Sequence, residues 1–363
     1  MGTCGRPRRV GAPDTLGPDP PGTPGTDQEE AVVDDRTELT DPSVPSGAAA
    51  PRPRVVVGVD GSPGSRAALA WALVSAARTG AALAVVSAFP VDFYWSDPYL
   101  LDRGRIEALR SHTEARTREL VDEVRREPAV ASVPGASSVA AAVVVVPGAA
   151  AEHLVETSAG AAQLVVGSRG RGGVRSTLLG SVALHCSTHA RCPVVVVHPS
   201  EVAASRPRVV VGVDGSEASR AALAQAVSAA ALTGAELEAV AAFQQPTYWG
   251  DAQLVLAKPV AEVREAARRR AEEEVAEVAG GRPTVTVRVV TVEGPAGEVL
   301  VQRASGAELL VVGSRSRSGL PGMLLGSAAL HCVVHARCPV MVVHPPAETG
   351  ESPAPSSLAG VAH

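Results

Sequence analysis

The chain contains the same unit twice, and this duplication limits its fold more than any other feature. Arg54 to Ser62 reads RVVVGVDGS, and Arg208 to Ser216 reads RVVVGVDGS again. The far ends of the two copies also match: LLGSVALHCSTHARCPVVVVHP from Leu178, and LLGSAALHCVVHARCPVMVVHP from Leu324. A period of roughly 150 residues is too long for a solenoid repeat and suits a whole domain. The problem therefore reduces to one domain, read twice.

Each copy alternates strand and helix signals. Val55 to Val59 is an unbroken apolar run, as expected of a strand buried on both faces. Pro63 suits the first turn of a helix, which alanine-rich sequence carries to about Thr79, where Gly80 ends it. The reading continues with a strand at Leu83 to Ala88, a long charged helix from Leu101 to Glu127, and a strand at Val139 to Val146. A helix at Ala149 to Ala159 and a strand at Leu164 to Val166 lead into a glycine-rich loop. A helix from Ser181 and a strand at Val194 to Val197 complete the copy. The second copy follows the same order from Val209 to Val343. Such alternation implies parallel strands with helices on both faces. The segments 1–53 and 347–363 are rich in Pro, Gly and polar residues without apolar periodicity, which predicts disordered tails around domains at 54–200 and 206–346.

Composition removes several function classes. The net charge is -5 and no long basic run occurs, so nucleic-acid binding has little electrostatic support. Lys258 is the single lysine, it lies in no glycine-rich loop, and no GxxxxGK[ST] loop occurs. The five cysteines, Cys4, Cys186, Cys192, Cys332 and Cys338, are an odd count and do not resemble a secreted disulfide framework. No segment is apolar for long enough to span a membrane, and no signal-type segment opens the chain. A reducing, cytoplasmic setting is expected.

The loop Gly167 to Ser181 reads GSRGRGGVRSTLLGS. Glycines allow backbone amides to approach an anion, and a helix that begins at Ser181 presents amides and a dipole favouring phosphate. Arg169, Arg171 and Arg175 add positive charge. The turn after the first strand supplies Asp60, Gly61 and Ser62. Both turns can serve one ligand only if strands one and four are neighbours. That requires two tandem, doubly wound, parallel five-stranded sheets of order 3-2-1-4-5, each with its ligand at the switch point.

These motifs resemble the universal stress protein family, whose fold is of the adenine nucleotide α-hydrolase-like type. Gly167, Gly170, Gly180 and Ser181 fit the Gly-x2-Gly-x9-Gly-Ser/Thr pattern of its ATP-binding members, and GVDGS and CPVVVV are also typical of it. The resemblance implies ATP as ligand, accompanied by Mg2+, and a regulatory role with little catalysis. It implies that Gly58 and Asp60 meet the nucleoside and that the backbone of Ala88 meets adenine. Val166 and Val182 would flank the phosphates, held by Gly167, Gly170, Gly180 and Ser181. The matching positions of the second copy are Gly212, Asp214, Ala242, Val312, Gly313, Gly326 and Ser327. There Ser316 replaces Gly170, and Ser318 replaces Gly172. A positive φ at Gly170 would make that serine cost about 1–2 kcal/mol, so the second site is expected to bind ATP more weakly. The resemblance further implies that the two fifth strands pair, forming an internal pseudo-dimer. It leaves room for a homodimer and for an unidentified protein partner.

Two rival classes remain open. One is an α-hydrolase-type enzyme, although its SGGxDS loop is replaced here by VDGSPGS. The other is an apo interaction module, against which the intact glycine pattern argues. Eight of the nine aromatic residues (Phe89, Phe93, Tyr94, Trp95, Tyr99, Phe243, Tyr248 and Trp249) cluster in or beside the loops after the second strands. They suit packing at the sheet end better than a lid. The His and Cys residues around His185, Cys186, His189 and Cys192 lack zinc-site spacing and are expected to be structural. The charged stretch Glu262 to Glu277 is expected to be a solvated helix face.

Overall fold

The computed structural model describes residues 53–89, 103–171, 179–199, 207–244, 259–280, 285–316 and 325–345. The first copy contains β1 (Arg54–Gly58), α1 (Pro63–Thr79), β2 (Ala82–Phe89), α2 (Arg103–Arg125), α3 (Pro128–Ala131), β3 (Ala141–Pro147), α4 (Ala150–Thr157), β4 (Gln163–Gly167), α5 (Ser181–His189) and β5 (Val194–Val197). The second contains β6 (Arg208–Gly212), α6 (Glu217–Thr233), β7 (Glu236–Phe243), α7 (Val260–Ala279), β8 (Val287–Glu293), α8 (Ala296–Arg303), β9 (Leu309–Gly313), α9 (Ser327–His335) and β10 (Val340–Val343). The short α3 and a 3-10 turn at Ala136–Ser138 were not foreseen from the sequence. They occupy the stretch between α2 and β3 in which the first copy is longer. The predicted tails and the loops at 90–102 and 245–258 lie outside the described residues.

Local chemistry explains the boundaries. Ser62 caps α1 by accepting the Ser65 amide, Pro63 opens the helix, and Gly80 closes it with a left-handed φ of 66°. Ser216 and Gly234 cap α6 in the same way. Val55, Val56 and Val57 are fully buried, as their unbroken apolar run requires.

Within each copy the strands are parallel and run in the order 3-2-1-4-5. The two sheets do not remain separate. β5 and β10 pair antiparallel, with Val195 opposite Met341, giving one ten-stranded sheet ordered β3-β2-β1-β4-β5-β10-β9-β6-β7-β8. This is the pairing of fifth strands that the family resemblance implied. One core layer packs α1, α2, α6 and α7 on one face of the sheet; the other packs α4, α5, α8 and α9 on the opposite face. Across the seam His198 Nε2 lies 2.9 Å from the Val333 carbonyl oxygen, and Arg78 pairs with Glu308 at 2.7 Å. Among the described residues no helix is long and apolar enough to cross a membrane.

Candidate functional site

Strand order brings the turn after β1 against the loop after β4. Asp60 joins the two. Its carboxylate accepts the Ser62 amide at 2.9 Å through one oxygen and the Arg171 amide at 2.8 Å through the other. Ser62 Oγ donates to the Arg169 carbonyl at 3.3 Å. The loop also closes on itself, with the Gly180 amide donating to the Ser168 carbonyl at 2.8 Å. Burial acts to raise the Asp60 pKa, but the Ser62 hydroxyl and the Ser62 and Arg171 amides outweigh it, and the net shift is downward. Asp60 is therefore held as a carboxylate.

The glycines in this junction serve close approach. A Cβ on Gly167 would lie 2.5 Å from the Gly64 carbonyl carbon, and a Cβ on Gly64 would lie 2.4 Å from the Arg169 oxygen. Gly170 is not among the glycines with positive φ, which removes the conformational argument made from sequence. Its reason is spatial: a Cβ there would lie 2.6 Å from Asp60 Oδ2. Gly58 makes room for the buried Leu154 of α4.

Between these turns and α5 lies a cleft of about 400 Å3. Gly58, Asp60, Val166, Gly167, Gly170, Gly180, Ser181 and Val182 all line it. Of the first-copy candidates only Ala88 is absent from the described lining; Val86 takes the β2 position instead. The sequence reading did not include Ser65, Ala150 or Leu154, which also line the cleft. Ala150 and Leu154 come from α4, and the only sequence signal for Leu154 was the glycine opposite it. Arg169 and Arg171 stand on the same wall. Gly180 enters α5 in an extended conformation with no side-chain cap, so the first amides of the helix face the cleft without a side-chain competitor.

The second copy has the same construction, with a smaller cleft at its switch point and, beside it, a cavity of about 880 Å3 lined by Asp214, Gly215, Ala242 and Glu274. Gly212, Asp214, Ala242, Val312, Gly313 and Gly326 line a cleft of about 80 Å3, together with Arg315 and Ser316, whereas Ser327 is not in its described lining. A Cβ on Gly313 would lie 2.8 Å from the Ala218 carbonyl carbon, repeating the contact of Gly167. One expectation is overturned here. The stretch Glu262 to Glu277 is not wholly a solvated face, because Glu274 is only 4% exposed. Its carboxylate accepts the Gly215 amide at 2.9 Å and the Ser219 hydroxyl at 2.5 Å. Burial raises its pKa, the Ser219 and Gly215 bonds oppose this, and Asp214 adds to the rise.

A sequence profile described as "Universal stress protein family" matches residues 51–198 and again 206–344. The chain belongs to the universal stress protein family. Two universal stress proteins of Mycobacterium tuberculosis are 34% and 37% identical to it over 296 and 309 residues, covering 79% of this chain and 95% and 96% of theirs. Tandem architecture is thus common to this universal stress protein and its relatives. The crystal structure of a universal stress protein from Archaeoglobus fulgidus superposes with a TM-score of 0.56 at 20% identity, covering 80% of this chain and 98% of that one. That likeness concerns the fold alone.

The remaining candidates of this universal stress protein fall as follows. Cys186, Cys192 and Cys332 are buried free thiols pushed up to about 12, and Cys338 to about 11, by desolvation. The His185 and His189 rings stack 4.4 Å apart on α5. Among the described residues no three His, Cys, Asp or Glu side chains converge as metal ligands would. Phe89 and Phe243 are buried at the ends of β2 and β7. Phe93, Tyr94, Trp95, Tyr99, Tyr248 and Trp249 lie outside the described residues.

Proposed function

We propose that this universal stress protein binds ATP in the cleft of its first copy and acts as a regulatory nucleotide sensor or carrier with little catalysis. The observation that carries the reading is the Asp60 clasp, which draws the β1 turn and the glycine loop to one rim around a cleft of about 400 Å3. That volume lies within the range of small-ligand sites. The lining divides as a nucleotide requires. Val86, Leu154 and Val166 offer apolar surface to a base, while the α5 amides, Arg169 and Arg171 offer positive potential to phosphates. A Mg2+ accompanying the nucleotide would find the Ser181 hydroxyl and the Asp60 carboxylate, both on the cleft lining, as oxygens able to hold it, and would supply charge neutralisation for the phosphates. The reading assigns no base for hydrolysis: Asp60 is engaged by two backbone amides, and both engagements hold the loop. A reducing, cytoplasmic location accompanies the proposal, consistent with four buried free thiols.

The test is mass spectrometry of ligand released from the full-length protein purified without added nucleotide, repeated on Gly180→Glu. A Cβ at Gly180 would meet nothing nearer than the Ser168 oxygen at 3.3 Å, so the backbone accommodates it with a small shift. The added carboxylate then enters the phosphate end of the cleft. ATP in the parent and its loss from the variant are expected. Equal nucleotide content in both would overturn the site, and rapid turnover to AMP and pyrophosphate would favour the α-hydrolase class instead.

A further inference from the structure

The two strand-helix turns have nearly the same backbone. Gly61 has φ 78° and Gly215 has φ 81°. Asp60 and Asp214 each accept the amide two residues on, from Ser62 and Ser216, at 2.9 Å. Their remaining donors are used differently. In the second copy the Gly215 amide donates to Glu274, the Ser219 hydroxyl donates to the same carboxylate, and the Asp214 amide donates to Ser219 Oγ at 3.1 Å. In the first copy no partner among the described residues takes the Asp60 or Gly61 amide, and Ser65 Oγ turns back to the Ser62 carbonyl at 3.0 Å. The Arg171 guanidinium lies over Gly61 instead.

One side chain accounts for the difference. Val275 and Val278 of α7 pack into the same core layer as Val121 and Val124 of α2. In that register Glu274 stands where the first copy has Leu120. The second turn is thus held by a buried carboxylate, Glu274, next to the half-buried Asp214, where the first copy has a leucine. Asp214 and Ser219 are themselves walls of the second cleft.

We propose that Glu274 is a tethered anion: it takes up the donors of the second turn and sets the second cleft against polyphosphate, leaving one tight nucleotide site per chain. This rests on the ATP reading of the first cleft. The physical basis is direct. A phosphate brought into the second cleft is opposed by Asp214 on its wall and by Glu274, which stands behind that wall and reaches it through the Ser219 hydroxyl, in surroundings that screen the charges less than water does. Among the described residues the facing positive charges are Arg315 on the cleft wall, Arg220, whose guanidinium donates to the Gly215 carbonyl at 3.1 Å, and Arg269 and Arg270, which share the neighbouring cavity with Glu274.

The experiment is calorimetric titration of the full-length chain with ATP and, separately, with adenosine. Gly180→Glu serves as the background, so that the second cleft is read alone. Glu274→Gln removes the charge at constant shape, and Glu274→Leu installs the first copy's residue. Both are expected to tighten ATP at least about tenfold, with adenosine affinity unchanged. ATP affinity unmoved in both folded variants would overturn the proposal. So would an equal gain for ATP and adenosine, because that signals repacking and not charge. If the parent takes up no ATP while Glu274→Gln with intact Gly180 does, the first-cleft reading fails and Glu274 keeps its role. If Gly180→Glu retains the tight site, both readings fall.

Discussion

The two copies differ least where backbone meets backbone and most where charge is set. Gly167 and Gly313 admit the first turns of α1 and α6 at the same short range, and Gly58 and Gly212 admit Leu154 and Leu300 in the same way. By contrast, Gly170 becomes Ser316, Leu120 becomes Glu274, and Ala84 becomes Glu238. The last change is the most costly to bury. Glu238 is 1% exposed on β7, held by Arg303 at 2.6 Å and Arg208 at 3.4 Å. The scaffold thus accepts ionised groups in one copy where the other has hydrocarbon, provided each has a partner.

The largest effect that would test this contrast is at Arg303. Arg303→Met leaves Glu238 buried with only the longer contact to Arg208, and should cost about 3 kcal/mol in denaturant unfolding. Glu238→Ala, which installs the first copy's residue, should cost much less, because Arg208 and Arg303 both reach solvent. Equal losses would mean that the charge pair itself, rather than an orphaned carboxylate, stabilises the second copy. The pH dependence has a definite sign. Burial acts to raise the Glu238 pKa, but Arg303, Arg208 and Arg288 pull it below the ordinary value of 4.5. Its contribution is therefore present above pH 4.5 and is lost as pH falls through the lowered value.

Next in size are the packing glycines. Gly167→Ala and Gly313→Ala both force a Cβ against backbone within 3 Å. Each should lose about 2–3 kcal/mol by the same measurement. Unequal losses would break the equivalence of the two β-strand to helix contacts.

A smaller effect, on binding alone, is expected when Gly170→Ser carries the second copy's residue into the first. The new Cβ displaces the Asp60 carboxylate from the Arg171 amide, and ATP affinity should fall about tenfold, or ~1.4 kcal/mol. Ser316→Gly by itself should leave the second cleft weak, since Glu274 remains on the turn. Full recovery from Ser316→Gly alone would move the cause of the asymmetry from Glu274 to the loop.

The sequence carried the strand order, the switch point and most of the cleft because these follow from repeated short motifs. The buried valines of β1, the caps Ser62 and Gly80, and the GSRG turn act through neighbours along the chain. What it hid depends on contacts distant in the chain. Gly170 reads as a conformational glycine until Asp60 is seen against it. Leu154 reaches the cleft only because β1 ends in Gly58. Glu274 lies in a run of like residues, Glu272, Glu273 and Glu274, of which the helix buries the third. Helical phase decides which one turns inward, and only the position of the β6–α6 turn shows what it meets there.

The smallest effect is also the one that most sharpens the comparison, because it reads Glu274 without any ligand. Burial holds its pKa above the ordinary 4.5, aided by Asp214 and opposed by the bonds from Ser219 and Gly215. A carboxyl raised in the folded state favours folding fully below its unfolded pKa, and that advantage is lost as pH rises through the folded value. Glutamine cannot ionise. Glu274→Gln should therefore melt slightly above the parent near neutral pH, with the difference closing as pH falls below 4.5. Leu120→Glu, the reciprocal change, should melt below the parent at neutral pH and approach it in acid. Should Glu274→Gln melt lower at neutral pH, the two bonds to the turn outweigh the burial of the charge. The tethered carboxylate would then be a support of the second copy's fold as well as its guard.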